Sequence, residues 1–386
     1  MPETTTSPRC GAHRVCSTGL LALLVVVSLL MSACGGSVHN TPAARAAKLL
    51  APAQVDATDG LTIDGEKIAD KALYDAARGK KLVLYSAAGK EAEDLTLARF
   101  TAETGIQVEL TRLPNNKLAE RALSEHGAGR LGADVIRLTD PRTARDFGEA
   151  GVYVPYRTPF HDKLAAAGAT VDANWFPAYY FVNAMAYNSA IHTQNPPDGW
   201  EDLADPRYEG QLGIVAITTG GTLQALTRFQ IEEFGPQYLD RLAAQQPRVF
   251  NSTSTEVDAL ARGEISIATV SFNNAFGAQS HGAPIRLVVP EEGVSASEGP
   301  LGLTPKGADN PAAQVFANWS LSKAGQKFVG SQGFVPVRTD IGPVRAGEYE
   351  LPTADSPRFH LLDEDGFARH AEADEKLWKQ KFDFIG

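Results

Sequence analysis

The chain has 386 residues, of which 43% are hydrophobic and 21% charged, with a formal net charge of −10. That balance is enough to bury a full core in two lobes, and the negative charge disfavours nucleic acid as a partner. The three cysteines, Cys10, Cys16 and Cys34, all lie near the start, so the remainder has neither a disulfide nor a thiolate metal site.

Arg9, His13 and Arg14 precede an apolar run of 13 residues from Gly19 to Met31. The run is too short to span a bilayer but suits a signal h-region. It ends in Leu30-Met31-Ser32-Ala33-Cys34, which resembles a bacterial lipoprotein signal. Residues 1–33 are expected to be removed, and Cys34 to carry diacylglycerol and a further acyl chain such as palmitate, anchoring the protein on the extracytoplasmic face of the cell membrane. The alternative is an ordinary secretory peptide cut after Ala33. Val38 to Val55 is rich in Ala and Pro and reads as a tether, so 34–64 is assigned as lipidated N-terminus and tether.

Residues 64–78 read as a helix with Ile68, Ala72, Leu73 and Ala76 on one side. The stretch 81–111 is a strand, a small-residue turn (Ser86-Ala87-Ala88-Gly89), a helix stopped by Gly105, and a second strand. A helix over 116–126 and a strand over 134–138 follow. Thr139-Asp140-Pro141 then supplies a cap candidate with proline at the first helical position. The order β-α-β-α-β-α predicts a mainly parallel sheet. Residues 174–188 are aromatic and strand-like and are read as the crossing into a second lobe, with Tyr179 and Tyr180 either cleft aromatics or hinge packing. In that lobe a strand over 212–217 runs into Thr218-Thr219-Gly220-Gly221-Thr222, and Asn251 to Ser254 leads into a helix in which Thr253 and Glu256 have capping-box spacing. A strand over 265–270 ends in Ser271 to Asn274. Residues 285–289 are expected to return the chain to the first lobe. One helix over 311–329 and an amphipathic tail helix complete the chain. The fold class is α/β, with lobe I as 65–180 plus 286–346, lobe II as 181–285, and 347–386 as a C-terminal helical extension.

The recurrent feature is a strand ending in small polar residues at a helix start, where N–H groups are free and the dipole is positive. One alone is merely a capped helix. Several, distributed over two lobes and joined by the Asn273-Asn274 pair, suggest a cleft that holds an anion or polar small molecule. The candidate ligand-binding residues are Ser86, Ala87, Thr139, Tyr179, Thr219, Gly221, Thr222, Thr253, Asn273 and Asn274. No Gly-x-Ser-x-Gly, His-Glu-x-x-His or Cys-x-x-Cys pattern occurs. Ser320-Leu321-Ser322-Lys323 matches Ser-x-x-Lys without its companions and reads as chance. No catalytic residue, metal site or cofactor is assigned.

From Asp70 to Phe382 the chain resembles bacterial solute-binding lipoproteins of ABC importers, in the branch of ferric-iron and 2-aminoethylphosphonate binders. The resemblance rests on Ala76 to Lys80 before Leu82-Val83-Leu84-Tyr85-Ser86, Phe100 to Val108, Ala133-Asp134-Val135, Ala186-Tyr187-Asn188, Trp200 to Gly210, Ala259 to Glu264, and Asn310 to Ala313 with Phe316 to Gln326. It implies a two-lobed type 2 periplasmic-binding-protein fold with two mixed or parallel sheets flanked by helices and a two-strand hinge. It also implies a monomer that hands a small solute to membrane permease subunits. Ferric binders of this kind carry two adjacent tyrosines where this chain has Asn273-Asn274-Ala275-Phe276. Asparagine cannot supply phenolate charge, so a phosphonate or other oxyanion is favoured over iron with atypical ligands. A ligand sensor for a membrane kinase would share these features.

Overall fold

The computed structural model describes residues 41–171 and 174–383. The expected signal segment and Cys34 lie outside the described residues. The unit considered below is Pro42–Gly386.

Its first part departs from the sequence reading. The supposed tether contains helix α1 (Pro42–Leu49), which opens on proline and is rich in alanine, a strong helix former. The helix expected over 64–78 is shorter. Strands β1 (Val55–Asp56), β2 (Leu61–Ile63) and β3 (Glu66–Ala69) form a small antiparallel sheet, and only α2 (Lys71–Ala77) is helical. Asp64 and Gly65, at φ 46° and 77°, make the tight turn between β2 and β3. An Asp-Gly pair favours that left-handed geometry over helix continuation.

The next segment follows the sequence closely: β4 (Lys81–Ser86), α3 (Lys90–Thr104), β5 (Gln107–Arg112), α4 (Asn115–Gly127), β6 (Val135–Arg137) and α5 (Pro141–Glu149). Gly105 stops α3 at φ 74°, and the Asp140 side chain caps α5 by accepting from the Arg142 N–H. After α6 (His161–Ala166) comes the long β7 (Phe176–Asn188), which is buried along almost its whole length.

The second lobe is built from β8 (Leu212–Val215), α7 (Gly221–Phe234), α8 (Gln237–Ala244), β9 (Arg248–Phe250), α9 (Thr253–Arg262), β10 (Ile267–Ser271) and α10 (Phe272–Ser280). β11 (Ile285–Val288) does not return the chain to the first lobe, as residues 285–289 were expected to. It pairs with the second-lobe end of β7, and the return is made by β12 (Val294–Leu303). The sequence of β12, VSASEGPLGL, is rich in residues of low strand propensity, and burial between neighbours rather than local preference makes it a strand. α11 (Pro305–Ala308) follows. The single helix expected over 311–329 is two, α12 (Pro311–Leu321) and α13 (Lys323–Ser331), because Ser322 is extended and caps α13 by accepting from the Gly325 N–H. β13 (Arg345–Ala346), β14 (Tyr349–Glu350), β15 (Phe359–Leu361) and α14 (Glu364–Lys381) finish the chain.

Among the described residues the main sheet runs β5-β4-β6-β12-β7-β10-β8-β9, with β11 added to β7 and β15 to β12. β4 is parallel to β5 and β6 in one lobe, and β8 is parallel to β9 and β10 in the other. β7 and β12 are antiparallel to each other and join both lobes into one continuous mixed sheet, not two separate ones. Their ladder is irregular at Gly299-Pro300, near the border between the lobes. No helix among the described residues is long and apolar enough to cross a membrane.

Candidate functional site

The polar strand ends meet across the gap between the lobes at two points. Gly89, which precedes α3 in the first lobe, faces Asn274 of α10 in the second. A Cβ on Gly89 would lie 3.7 Å from Asn274 Oδ1. Gly221, the first residue of α7, faces the first lobe, and its Cβ would lie 3.6 Å from the Thr139 carbonyl oxygen. Glycine at both positions lets the two backbones approach. α3, α7 and α10 all begin without a side-chain cap, leaving N–H donors and the positive end of each dipole at the cleft. α5 and α9 are different, because Asp140 and Ser252 satisfy their own helix starts. The capping box expected from Thr253 and Glu256 is absent: Ser252 is the cap, and it accepts from the Thr255 N–H at 3.2 Å.

The asparagine pair lies in the first turn of α10 rather than in a loop. Its side chains form a relay: the Ser271 hydroxyl donates to Asn273 Oδ1 (2.9 Å), Asn273 Nδ2 donates to Asn274 Oδ1 (3.1 Å), and Asn274 Nδ2 donates to Thr253 Oγ1 (2.7 Å). Thr253 keeps its own hydroxyl proton for another acceptor. In the first lobe Ser86 is fully buried and its Oγ accepts from the Ala88 N–H at 3.1 Å, while the Ala87 N–H donates to the Arg137 carbonyl at 2.9 Å. Thr139 gives its N–H to Asn115 Oδ1 at 3.0 Å and has its hydroxyl directed at the same oxygen. The Ala87 N–H and both donors of Thr139 are therefore already engaged, whereas Ser86, which accepts, keeps its own hydroxyl proton. Thr219 is exposed on a short 3-10 turn after β8, and Thr222 offers its carbonyl to Asn183 at 2.8 Å.

Tyr179 packs the hinge. It is 2% exposed, its ring tilted against Phe334 at 4.2 Å between centroids and 5.2 Å from Phe181, with the Arg137 guanidinium 5.4 Å over its ring. Burial pushes its hydroxyl above the ordinary tyrosine range, against the pull of Arg137, so it stays a neutral phenol. Tyr85 is no closer to a phenolate: its hydroxyl donates to Glu125 and accepts from Arg121, each at 3.0 Å, and burial raises it. Among the described residues no three His, Cys, Asp or Glu side chains are grouped to hold a metal.

Several residues at the cleft were not singled out in the sequence. Asn183, where β7 passes from β12 to β10, donates to the Thr222 carbonyl and to Ser295 Oγ (3.2 Å), tying α7 to the hinge. An asparagine inside an otherwise apolar, aromatic strand is the one signal that could have revealed it. Glu93, in the first turns of α3, is buried and paired with buried Arg137, and among the described residues neither Glu93 Oε2 nor the Ser297 hydroxyl has a hydrogen-bond partner. On one rim Arg45 of α1 donates to Glu91 at 2.7 Å, and His281 of the second lobe lies 3.0 Å from the same carboxylate. On another rim the ring of Phe367, from α14, lies 3.4 Å from where a Cβ on Gly221 would be and under the guanidinium of Arg142 at 5.6 Å.

Residues 96–350 match the family described as bacterial extracellular solute-binding protein. An uncharacterized protein of Haemophilus influenzae is 32% identical over 142 residues, covering 36% of this chain and 41% of that protein. Iron uptake protein A1 of Synechocystis is 29% identical over 136 residues, covering 35% of this chain and 37% of its own length. The chain thus aligns with about two-fifths of the length of the curated relatives it matches. The periplasmic binding protein AfuA of Actinobacillus pleuropneumoniae, bound to fructose-6-phosphate, superposes with a TM-score of 0.60 at 20% identity, over 80% of this chain and 100% of that one. Iron-bound HitA of Pseudomonas aeruginosa does so at 0.60 and 22% identity, over 77% and 98%. These likenesses establish the type 2 periplasmic-binding-protein fold. With two thirds of its length matched to the family, the chain is a member of the bacterial extracellular solute-binding proteins.

Proposed function

We propose that this protein is the lipid-anchored solute receptor of an ABC importer. In this reading Cys34 holds it on the outer face of the cell membrane, and the cleft closes by hinge motion on one small polar or anionic solute. The unchanged solute then passes to permease subunits. The observation that carries the reading is the convergence of three uncapped helix starts, α3, α7 and α10, on the interlobe gap. Such ends favour an oxyanion, which accepts N–H bonds from several helices at once. Asn273, Asn274 and Thr253 add neutral donors from the second lobe, the Thr219–Thr222 turn adds backbone, and Ser86, Ala87 and Thr139 shape the facing wall above Tyr179. A phosphonate or similar anion fits these groups best. The names of the Synechocystis relative and of HitA favour iron as the second reading. Here iron would need ligands other than an adjacent tyrosine pair.

The test is a thermal-shift screen with phosphonates, polyols, polyamines and ferric chelates, followed by calorimetry. One strong stabiliser is expected, contributing about 2.7 kcal/mol at a hundred times its dissociation constant. Steady conversion of that compound to product would refute a pure binding role, and a phenolate-to-iron charge-transfer band would establish the iron reading. Cys34→Ser is expected to release the protein from membranes or leave it unprocessed. Unchanged membrane-bound mature protein would rule out the lipid anchor.

A further inference from the structure

The family match ends at residue 350, before β15 and α14. The residues beyond 350 therefore need their own explanation. We infer that the C-terminal extension is a strap that ties the two lobes together across one rim of the cleft, with Phe367 as its interlobe contact. The inference rests on the hinged-cleft reading above.

The strap is rooted in the second-lobe half of the hinge. β15 runs parallel to Val294–Ala296 of β12, on the edge that β6 occupies further along at Leu301–Leu303. The Leu362 N–H donates to the Ala296 carbonyl at 3.0 Å, and Arg358 donates to the carbonyls of Pro290 (2.6 Å) and Glu291 (3.0 Å). Most of α14 then lies on the second lobe. Asp374 pairs with Arg228 at 3.4 Å, Lys381 with Asp240 at 2.6 Å, and Leu362 and Phe367 cluster with Ala225 of α7. The first turn of α14 crosses the gap. Glu364 pairs with Arg145 of α5 at 3.1 Å, and Phe367, 1% exposed, is enclosed between Gly221 of the second lobe and Arg142 of the first.

Separating α5 from α7 must therefore expose the Phe367 ring, break its contact with Arg142, and part Glu364 from Arg145. None of these contacts involves the solute. They bias the hinge toward closure whatever is bound, and they place the Phe367 ring beside the Gly221 backbone and close to the Thr139 carbonyl.

The test reads the hinge without a solute. The full chain, with Cys10, Cys16 and Cys34 replaced by serine, receives spin labels through Asn116→Cys on α4 and Asp258→Cys on α9, both exposed positions, and pulsed electron resonance gives the interlobe distance distribution. Phe367→Ala is expected to enlarge the long-distance population about tenfold, Arg145→Gln about twofold, and Phe367→Leu less than Phe367→Ala. Distributions identical to the parent in all three would overturn the strap. Should Phe367→Ala impair folding, Arg145→Gln, which alters a half-exposed side chain, decides the matter alone. Because no solute enters the readout, a shifted distribution in a protein that binds nothing in the screen would keep the strap and sink the solute reading. Unshifted distributions in a protein that does bind would do the reverse.

Discussion

Replacing Glu298 by glutamine is expected to stabilise the protein above neutral pH and to leave it nearly unchanged near the ordinary carboxylate range. Glu298 sits on β12 opposite Tyr180, with no accessible surface. Burial pushes its carboxyl up from 4.5 to about 7, the nearby Thr170 hydroxyl offsets part of the rise, and the charges of Asp363 and Glu364 add to it. The folded state thus holds this proton more tightly than the unfolded chain does. Its contribution to stability is complete below about 4.5 and is lost as pH rises to about 7. A displacement of that size corresponds to about 3 kcal/mol. Glutamine keeps the shape and never ionises, so the variant does not suffer the loss. Urea denaturation of both proteins, from about pH 4 to about pH 8, should show equal stabilities at the acid end and a gap opening toward about 3 kcal/mol at the alkaline end. A gap that stays flat, or opens toward acid, would refute the reasoning.

The remaining expectations concern the cleft. Gly221→Leu should prevent closure, because the space beyond its Cβ is filled by Phe367 and the Thr139 carbonyl; small-angle scattering with the best solute from the screen should show no compaction. Asn274→Ala should weaken that solute about tenfold in calorimetry by removing one bond to a charged acceptor. Because Asn274 is only half-buried, the melting temperature without solute should hardly move. Asn183→Leu strands the Thr222 carbonyl and should cost about 1–3 kcal/mol in urea denaturation. Glu256→Gln should mirror Glu298→Gln, since burial alone holds that carboxyl well above its usual range.

What was legible in the sequence was what local chemistry determines. The apolar run 81–85 with a Gly stop at 105, and the Asp140-Pro141 start of α5, encode their elements within a few residues, and the structure has them there. The helix expected over 64–78 yielded to a turn that Asp64-Gly65 also encodes locally, so that signal was present and outweighed by the apolar spacing. β12 carried no such signal. Ser295, Ser297, Gly299 and Pro300 are poor strand formers, and they lie in a strand only because β7 pairs with them from more than a hundred residues away. Non-local pairing of that kind leaves no periodicity to read.

The same division runs through the site. Strand ends rich in small polar residues marked the α3 and α7 starts, because an uncapped helix is a local property. Which of those ends face each other is not local. Thr139 looked like a free donor, yet Asn115 already engages it, while the Asn274–Thr253 bond joins two helices that the sequence shows only as separate segments. Phe367 was the hardest to foresee. In sequence it is one apolar position on an amphipathic tail helix, and it reads as core packing. Its place at the cleft follows from two facts that sequence spacing does not contain: β15 takes the edge of β12 that β6 leaves free, and α14 therefore starts beside α5 and ends on α8. A helix so anchored cannot stay in register with both lobes while the gap between them widens. The tail that looked like an appendage is thus mechanically part of the hinge.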